Sequence, residues 1–145
     1  EEDANATIKA NHLNVWIARP FTLTATRCIT GVWFTSFDSG STSGATAEIY
    51  TDSTGSPGSR VGDGYTVTIA NLPNDESSDS EYLFASTQTL SSGTYWQVMK
   101  MPTTTFYRYG TEGDKVWKIS TDSGSTWTSE GTYTFRGGVL GCTPE

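Results

Sequence analysis

Residues 21–27 read Phe-Thr-Leu-Thr-Ala-Thr-Arg, in which apolar side chains alternate with threonine. Successive side chains of a β-strand point to opposite faces, so this period of two predicts a strand with one buried face. The same period recurs at residues 45–51, where the alanines and the isoleucine are predicted to face inward and Thr46, Glu48 and Tyr50 outward. Threonine fits the pleated surface of a strand without needing burial.

Strand patterns separated by turn residues continue along the chain. They cover residues 13–18, 21–27, 29–37, 45–51, 65–69, 81–85, 95–101, 104–109, 115–120 and 132–136. Arg19-Pro20 is predicted to split the first two, a bulge is predicted near Gly31, and residues 51–59 are predicted to form a loop. No stretch carries an apolar stripe for three helical turns. The pattern predicts an all-β fold, an antiparallel, jelly-roll-like sandwich of about ten short strands.

The chain of 145 residues is long enough for one domain with a substantial core. Hydrophobic residues make up only 34% of it, but aromatic residues reach 12%, which argues against a disordered chain. Residues 1–12 are polar and without a clear period. We therefore predict that residues 1–12 form a flexible N-terminal tail or an arm that docks elsewhere, followed by a single sandwich domain at 13–145.

The formal charge of −7 restricts the partners. Nucleic acid and anionic membrane surfaces both favour a basic face, so neither is an expected partner. No apolar run approaches the roughly 20 residues of a transmembrane helix. The expected benefit of the charge is solubility at high local density.

The two cysteines, Cys28 and Cys142, lie near opposite ends of the chain. First and last strands of a sandwich often lie side by side, which favours a disulfide between them. The alternative is two separate, reduced, buried thiols.

The sequence offers few residues that could act as catalytic groups. The one histidine, His12, lies in the predicted arm, where a general base would not be held rigidly. Zinc lacks a ligand set, because one histidine and two distant cysteines do not make a site. Glu48 and Glu81 are the acids on predicted strands or their edges, and nothing in the sequence brings them together. We therefore predict that the chain is not an enzyme and needs no cofactor.

One acidic loop is a candidate calcium site. Asp75, Glu76 and Asp79 lie close together in the sequence and supply oxygen ligands. Their spacing does not match the twelve-residue helix-loop-helix site, and a solvated acidic loop is the favoured interpretation.

Residues 120–127, Ser-Thr-Asp-Ser-Gly-Ser-Thr-Trp, predict a structural hairpin. Asp122 favours the start of a turn, Gly124 permits a positive φ, and Trp127 anchors the returning strand. The stretch resembles the Asp-box, a short motif that repeats in sialidases away from the catalytic site. It occurs once here, so we interpret it as a turn and not as the mark of a sialidase.

A wider resemblance covers most of residues 21–136. It is carried in order by Phe21, Ile49-Tyr50, Pro57-Gly58, Gly93-Thr94-Tyr95-Trp96, the 122–127 hairpin and Tyr133-Thr134-Phe135. The set is similar to the choice-of-anchor surface domains of bacteria, type R in particular. That resemblance implies a fold like that of jelly-roll carbohydrate-binding modules, exterior display and a non-catalytic function.

Two functions follow as hypotheses. The first is a structural or interaction module on a cell or virion surface, such as a virion decoration protein, an appendage subunit or a surface-protein domain, which contacts other subunits or copies of itself. The second is a carbohydrate-binding module, because sugars stack on aromatic faces. Its candidate platform residues are Trp33, Trp96, Tyr107, Tyr109 and Trp117. For each of them, packing in the core is the alternative role.

Overall fold

A computed structural model describes residues 7–10, 15–34, 36–37, 45–69, 80–101, 106–110, 118–129, 134–135 and 137–142. Within these ranges the chain forms β-strands and one short 3₁₀ turn at Asp63–Tyr65. The strands pair antiparallel throughout this part of the chain. The all-β antiparallel prediction is therefore confirmed.

The described strands are more numerous than the sequence predicted, because several have only two or three residues. They are β1 (Thr7–Ala10), β2 (Val15–Leu23), β3 (Arg27–Phe34), β4 (Ser36–Phe37), β5 (Ala45–Ser53), β6 (Ser56–Arg60), β7 (Thr66–Ile69), β8 (Ser80–Leu90), β9 (Gly93–Met101), β10 (Phe106–Gly110), β11 (Lys118–Ser120), β12 (Thr128–Ser129), β13 (Thr134–Phe135) and β14 (Gly137–Gly141).

The largest sheet has seven strands in the order β12-β11-β2-β9-β5-β6, and β7 pairs with β5 beside β6. In its register Met99 on β9 lies between Ile17 on β2 and Ala47 on β5. These three residues are buried on the inner face. The next row, with Trp16 opposite Lys100, belongs to the outer face because side chains alternate along a strand.

A second sheet has three strands in the order β14-β3-β8. Its ladder shifts register between Ile29 and Gly31, which confirms the predicted bulge near Gly31. Past the shift, Gly31 lies between Leu140 on β14 and Leu83 on β8.

The hydrophobic core lies between the inner faces of these two sheets, which gives the fold its sandwich-like form. Its buried residues are Ile17, Ile29, Val32, Phe34, Ala45, Ala47, Ile49, Ile69, Phe84, Leu90 and Met99. The predicted inward side of residues 45–51 is confirmed by this set. Successive long strands alternate between the two sheets, and the jelly-roll connectivity stays a prediction.

A disulfide joins Cys28 on β3 to Cys142, the residue after β14. The two Cα atoms are 5.4 Å apart although 114 positions separate the residues in sequence. The backbone N–H of Cys142 also donates to the carbonyl of Cys28 at 3.2 Å. The predicted bridge is confirmed, and it holds the end of β14 against the start of β3.

The remaining strands form a four-stranded sheet in which β10 pairs with β1, β13 and β4. Thr7 lies opposite Tyr109 and Ala10 opposite Phe106. Thr7–Ala10 of the predicted arm therefore lie in a strand that pairs with its own chain, and the division of the chain at residues 12 and 13 stays a prediction. The other residues of the predicted arm, 1–6 and 11–12, lie outside the described ranges.

Two turn predictions are also corrected. Arg19-Pro20 does not interrupt a strand, since β2 runs through it with Pro20 opposite Trp96. Beyond Ala18 the described strands pair with β2 only on the β9 side, which is the edge-like setting where proline is tolerated.

The second correction concerns residues 51–59, which form a hairpin instead of a loop. Its turn is Thr54-Gly55, with φ of 49° and 89°. Two residues with positive φ match the right-handed twist of the flanking strands.

Candidate functional site

The five predicted sugar-platform residues do not share one surface. Trp96 lies on the outer face of the seven-stranded sheet but is only 3% exposed, which rules it out as a stacking platform and corrects that prediction. Trp33 lies on the three-stranded sheet and is half-buried. Tyr107 and Tyr109 lie on β10 of the four-stranded sheet, and Trp117 lies outside the described residues.

The outer face of the seven-stranded sheet carries the 120–127 hairpin. The backbone N–H and the hydroxyl of Thr126 donate to the Asp122 carboxylate at 2.9 and 2.6 Å, and the Ser120 hydroxyl donates to it at 2.8 Å. The side-chain and backbone bonds from Thr126 and the bond from Ser120 lower the pKa of Asp122 to about 2. Asp122 therefore fixes the turn in its ionised form.

The same hairpin lies against Trp16 on β2. Gly124 has φ of 85°, and a Cβ at that position would lie 2.7 Å from Cζ3 of Trp16. Glycine is thus required both by the backbone conformation and by the close approach. Trp127 packs nearby, with its ring centroid 6.5 Å from that of Trp16.

Charged groups lie beside Trp16 on the same face. The Lys100 ammonium lies 4.2 Å from the centroid of Trp16 and 5.8 Å from that of Tyr50. It also lies 2.6 Å from Oε1 of Glu48, which is only 5% exposed. Arg60 approaches the other carboxylate oxygen of Glu48 at 3.9 Å. The Glu48 charge is therefore paired within the chain, as a nearly buried charge must be.

The side chains of Trp96 and Tyr50 also pack on this face. The Trp96 indole N–H donates to Asp52 at 2.9 Å. Burial raises the pKa of the Tyr50 hydroxyl, the nearby Lys100 charge opposes that rise, and the Glu48 charge adds to it. We call the group of Trp16, Tyr50, Trp96, Lys100 and Trp127 the hairpin face. Its half-buried rings cover a buried layer of Ala18, Trp96 and Val98.

The outer face of the three-stranded sheet is different. Leu83 is 63% exposed and is the one large hydrophobic side chain exposed to this degree in the described part of the chain. Its neighbours Tyr82 and Phe84 point the other way, toward the core. Across the sheet from Leu83 come Gly31 and then Leu140.

Two glycines, Gly31 on β3 and Gly138 on β14, lie in the backbone of this face. A Cβ at Gly31 would collide with the carbonyl oxygen of Tyr82, and a Cβ at Gly138 would lie 2.6 Å from Nε1 of Trp33. The Trp33 ring therefore lies close to the backbone of β14. We call the surface formed by Gly31, Trp33, Leu83, Gly138 and Leu140 the Leu83 face.

Sequence analysis did not identify Leu83 as a functional residue, although a signal was present. Residues 82–84, Tyr-Leu-Phe, are three consecutive large apolar side chains. In a strand, the middle one must point away from the face that buries its neighbours. An exposed leucine follows unless a second layer covers that side.

The predicted acids are not brought together. Glu48 lies on β5 of the seven-stranded sheet, whereas Glu81 lies on β8 of the three-stranded sheet and is exposed. The calcium candidates Asp75, Glu76 and Asp79 lie outside the described residues, as does His12. Among the residues that are described, no three acids, histidines or cysteines cluster as a metal site would require.

The described part of the chain has no helix with the length and hydrophobicity needed to span a bilayer. Comparisons with protein-family models, with curated proteins and with solved structures found no match for this chain. The resemblance to choice-of-anchor domains therefore stays a hypothesis drawn from the sequence.

Proposed function

We propose that this chain is a non-catalytic interaction module displayed on a cell or virion surface, and that it works by contacting other protein subunits. The observation that carries the proposal is the 63% exposure of Leu83 on β8, an outer strand of the three-stranded sheet, where it lies opposite Gly31. Apolar surface of this kind is stabilised when a partner removes it from water.

The surroundings of Leu83 suit a protein contact. Interfaces combine an apolar centre with a polar rim. Here Leu83, Leu140 and Trp33 supply apolar surface, and the exposed carboxylate of Glu81 lies next to it in the register opposite Trp33. Gly31 lies between Leu83 and Leu140 in the register and places no side chain between these two leucines.

The disulfide supports an exterior location. Disulfides persist in oxidising environments such as cell surfaces and virions, and are rare in reducing compartments. Cys28 and Cys142 form such a bridge. The net charge of −7 agrees with display at high density, since it opposes random clumping.

The arrangement of the acids supports a non-catalytic function. Glu48 lies 2.6 Å from the Lys100 ammonium and 3.9 Å from Arg60, so its charge is paired within the chain. Glu81 belongs to the other sheet. A glycosidase-type pair needs two carboxylates on either side of one bond.

Carbohydrate binding is the second candidate, and Trp33 is the observation that favours it. Its half-buried ring lies close to Gly138 on the same face as Leu83. A partly exposed ring beside a carboxylate is a combination that sugar sites use. The two candidates therefore share one surface and differ in which side chain the ligand needs.

Site-directed photo-crosslinking tests the protein-contact proposal. Leu83→p-benzoylphenylalanine is introduced into the full chain, which is irradiated in the cells or particles that carry it. We expect crosslinks from position 83 to one recurring peptide of another subunit, mapped by mass spectrometry. The same substitution at Thr87, exposed on the same strand, is the matched control and should give few crosslinks.

A glycan array separates the second candidate. We expect no binding of the purified chain above background. Strong binding that Trp33→Ala abolishes without lowering the melting temperature, together with no crosslinks from position 83, would overturn the protein-contact proposal in favour of sugar.

A further inference from the structure

We propose that the Cys28–Cys142 disulfide is a redox gate for the Leu83 face. When the bridge is reduced, β14 leaves β3 and the contact with another subunit is lost, and oxidation restores both. This inference rests on the proposed function and names the regulation of its contact surface. It ties the contact to the oxidising exterior, because a chain whose thiols are still reduced does not yet present the complete face.

β14 carries a large part of the Leu83 face. Leu140 lies opposite Gly31, in the same row of the register as Leu83. Two residues further along the ladder Gly138 lies opposite Trp33, and a Cβ at Gly138 would lie 2.6 Å from Nε1 of the indole. If β14 leaves the sheet, the face therefore loses the Leu140 side chain and the backbone against which the Trp33 ring lies.

The side chains of β14 give this strand little hold on the core. Three of the five residues of Gly137–Gly141 are glycines. Glycine buries no side chain, and it loses more conformational freedom in a strand than other residues do. Among the described residues that pack against the core, β14 contributes Val139, which is half-buried. The strand therefore depends on its ladder with β3 and on the groups at its end.

Those groups lie at a bulge and just beyond it. The register shifts between Leu140 and Gly141, so Thr30 on β3 has no residue opposite it on β14, and its hydroxyl donates to the carbonyl of Leu140 at 3.3 Å. Past the bulge one pair of the ladder remains before Cys142, whose backbone N–H donates to the carbonyl of Cys28 at 3.2 Å. The disulfide thus fastens β14 where its ladder is interrupted.

The bridge is accessible to a dithiol. Cys28 and Cys142 are half-buried, and each has an exposed neighbour, Arg27 and Gly141 respectively. In thiol–disulfide exchange a thiolate of the dithiol attacks one sulfur, the S–S bond breaks, and the second thiol then closes a new disulfide in the reagent. Two electrons and two protons pass to the cysteines. The reverse exchange with an oxidised dithiol forms the bridge again.

The seven-stranded sheet has a hold of its own that the bridge does not supply. Ile17, Ala47 and Met99 are fully buried on its inner face, and its long strands β2, β9 and β5 pair with one another. Strands that bury few side chains open at a lower free energy than the core of a domain does. We therefore expect reduction to detach β14 locally and to leave this sheet folded.

Hydrogen exchange on the purified full chain tests the local release. The oxidised chain is compared with the chain kept reduced by dithiothreitol. Exchange at Gly137–Gly141 should accelerate at least about tenfold in the reduced chain, whereas exchange at Val98 and Met99 should change little. Unchanged exchange on β14 overturns the gate. Unfolding of the whole domain overturns it as well, because the bridge then acts as a general staple of the fold.

Crosslinking from position 83 connects the release to the contact. With Leu83→p-benzoylphenylalanine, the yield of the recurring partner peptide should fall at least about tenfold in dithiothreitol and return once the bridge is reoxidised. Cys28→Ser with Cys142→Ser should give the same low yield with and without the reductant, which excludes an effect of dithiothreitol on the partner. Leu140→Gly keeps the bridge and should lower the yield from the oxidised chain, because it removes the β14 side chain from the face.

The outcomes separate the gate from the proposed function. Crosslinks that persist at full yield after reduction overturn the gate and leave the protein contact standing. Release of β14 without crosslinks in either redox state overturns the proposed function, and with it the gate as a control on that contact. Crosslinks that form in the oxidised chain and are lost on reduction, together with local release of β14, support both.

Discussion

The outer faces of the seven-stranded and the three-stranded sheet differ in how far they bury their large apolar and aromatic side chains. On the hairpin face, Trp16 lies between the Gly124–Trp127 end of the hairpin and the Lys100 ammonium, and Trp96 beneath is 3% exposed. On the Leu83 face, Leu83 is 63% exposed and lies opposite Gly31. The hairpin face is closed by its own chain, whereas the described part of the chain leaves Leu83 largely in water.

The difference shows that aromatic content alone does not locate a binding surface. The hairpin face has more aromatic rings, yet each has a partner from the same chain: an aspartate, a lysine or a second tryptophan. The Leu83 face has fewer large side chains, but the described chain leaves one of them in water. A large apolar side chain that is exposed to water is unusual in a folded protein and often marks a contact surface. The Leu83 face is therefore the better candidate site.

Removing the disulfide should have the largest effect, and it acts on the sheet that carries the Leu83 face. The double change Cys28→Ser and Cys142→Ser should lower the free energy of unfolding by about 4–5 kcal/mol, because the bridge constrains a very long loop in the unfolded chain. Urea titration followed by tryptophan fluorescence gives the value. A loss near zero would show that the bridge is not needed to hold β14 on β3.

Truncating the hairpin tryptophan should have the next largest effect. Trp127→Ala removes the ring beside Trp16 and uncovers part of the layer beneath. Trp127 is half-buried, so we expect a loss of about 2–3 kcal/mol, below the roughly 3–5 kcal/mol of a fully buried aromatic. Trp127→Phe is the control and should lose less. An unchanged melting temperature in Trp127→Ala would mean that the hairpin face is not closed by this residue.

Acid should loosen the hairpin face before the Leu83 face. The pKa of Asp122 is lowered to about 2 from 3.8, so folding favours its charged form. The contribution of Asp122 is therefore fully present above about pH 4 and is lost as the pH falls through about 2. Stability measured between these limits should fall less steeply in Asp122→Asn than in the original chain. Identical slopes would contradict the role of the carboxylate in the turn.

The smallest effect on stability is expected at Leu83. Leu83→Ser should change the free energy of unfolding by no more than about 0.5 kcal/mol, because most of the side chain already faces water. Phe84→Ser, one residue further and buried, is the contrast and should be strongly destabilising. A large loss in Leu83→Ser would mean that Leu83 packs within its own chain, and the Leu83 face would no longer be open.

Local patterns predicted much of the fold. The period of two placed Thr46, Glu48 and Tyr50 on the outer face, and the slip in the pattern located the bulge at Gly31. These features depend on neighbours in the sequence. The continuation of β2 through Pro20 was not predicted, because it depends on which strands flank β2 and how far each of them extends.

The candidate site was harder to predict for the same reason. The sequence makes Trp96 a candidate platform, but the fold buries it. Its indole N–H donates to Asp52, which is 44 positions away, and neighbouring rings pack against it. Glu48 is paired by Lys100, which comes from a strand distant in sequence. Pairings of this kind depend on sheet order, which the sequence pattern does not specify. Leu83 was predictable in principle from the run of apolar residues around it.

The register shift in β8 also has a consequence for polymerisation. A long, straight strand at the edge of a sheet is a template on which identical chains can stack into fibres. Continuous stacking needs a straight edge that repeats from one molecule to the next. Because residues 84–87 leave the ladder, the edge ends four residues after it begins. The ladder of β8 therefore provides no continuous track along which a fibre could grow.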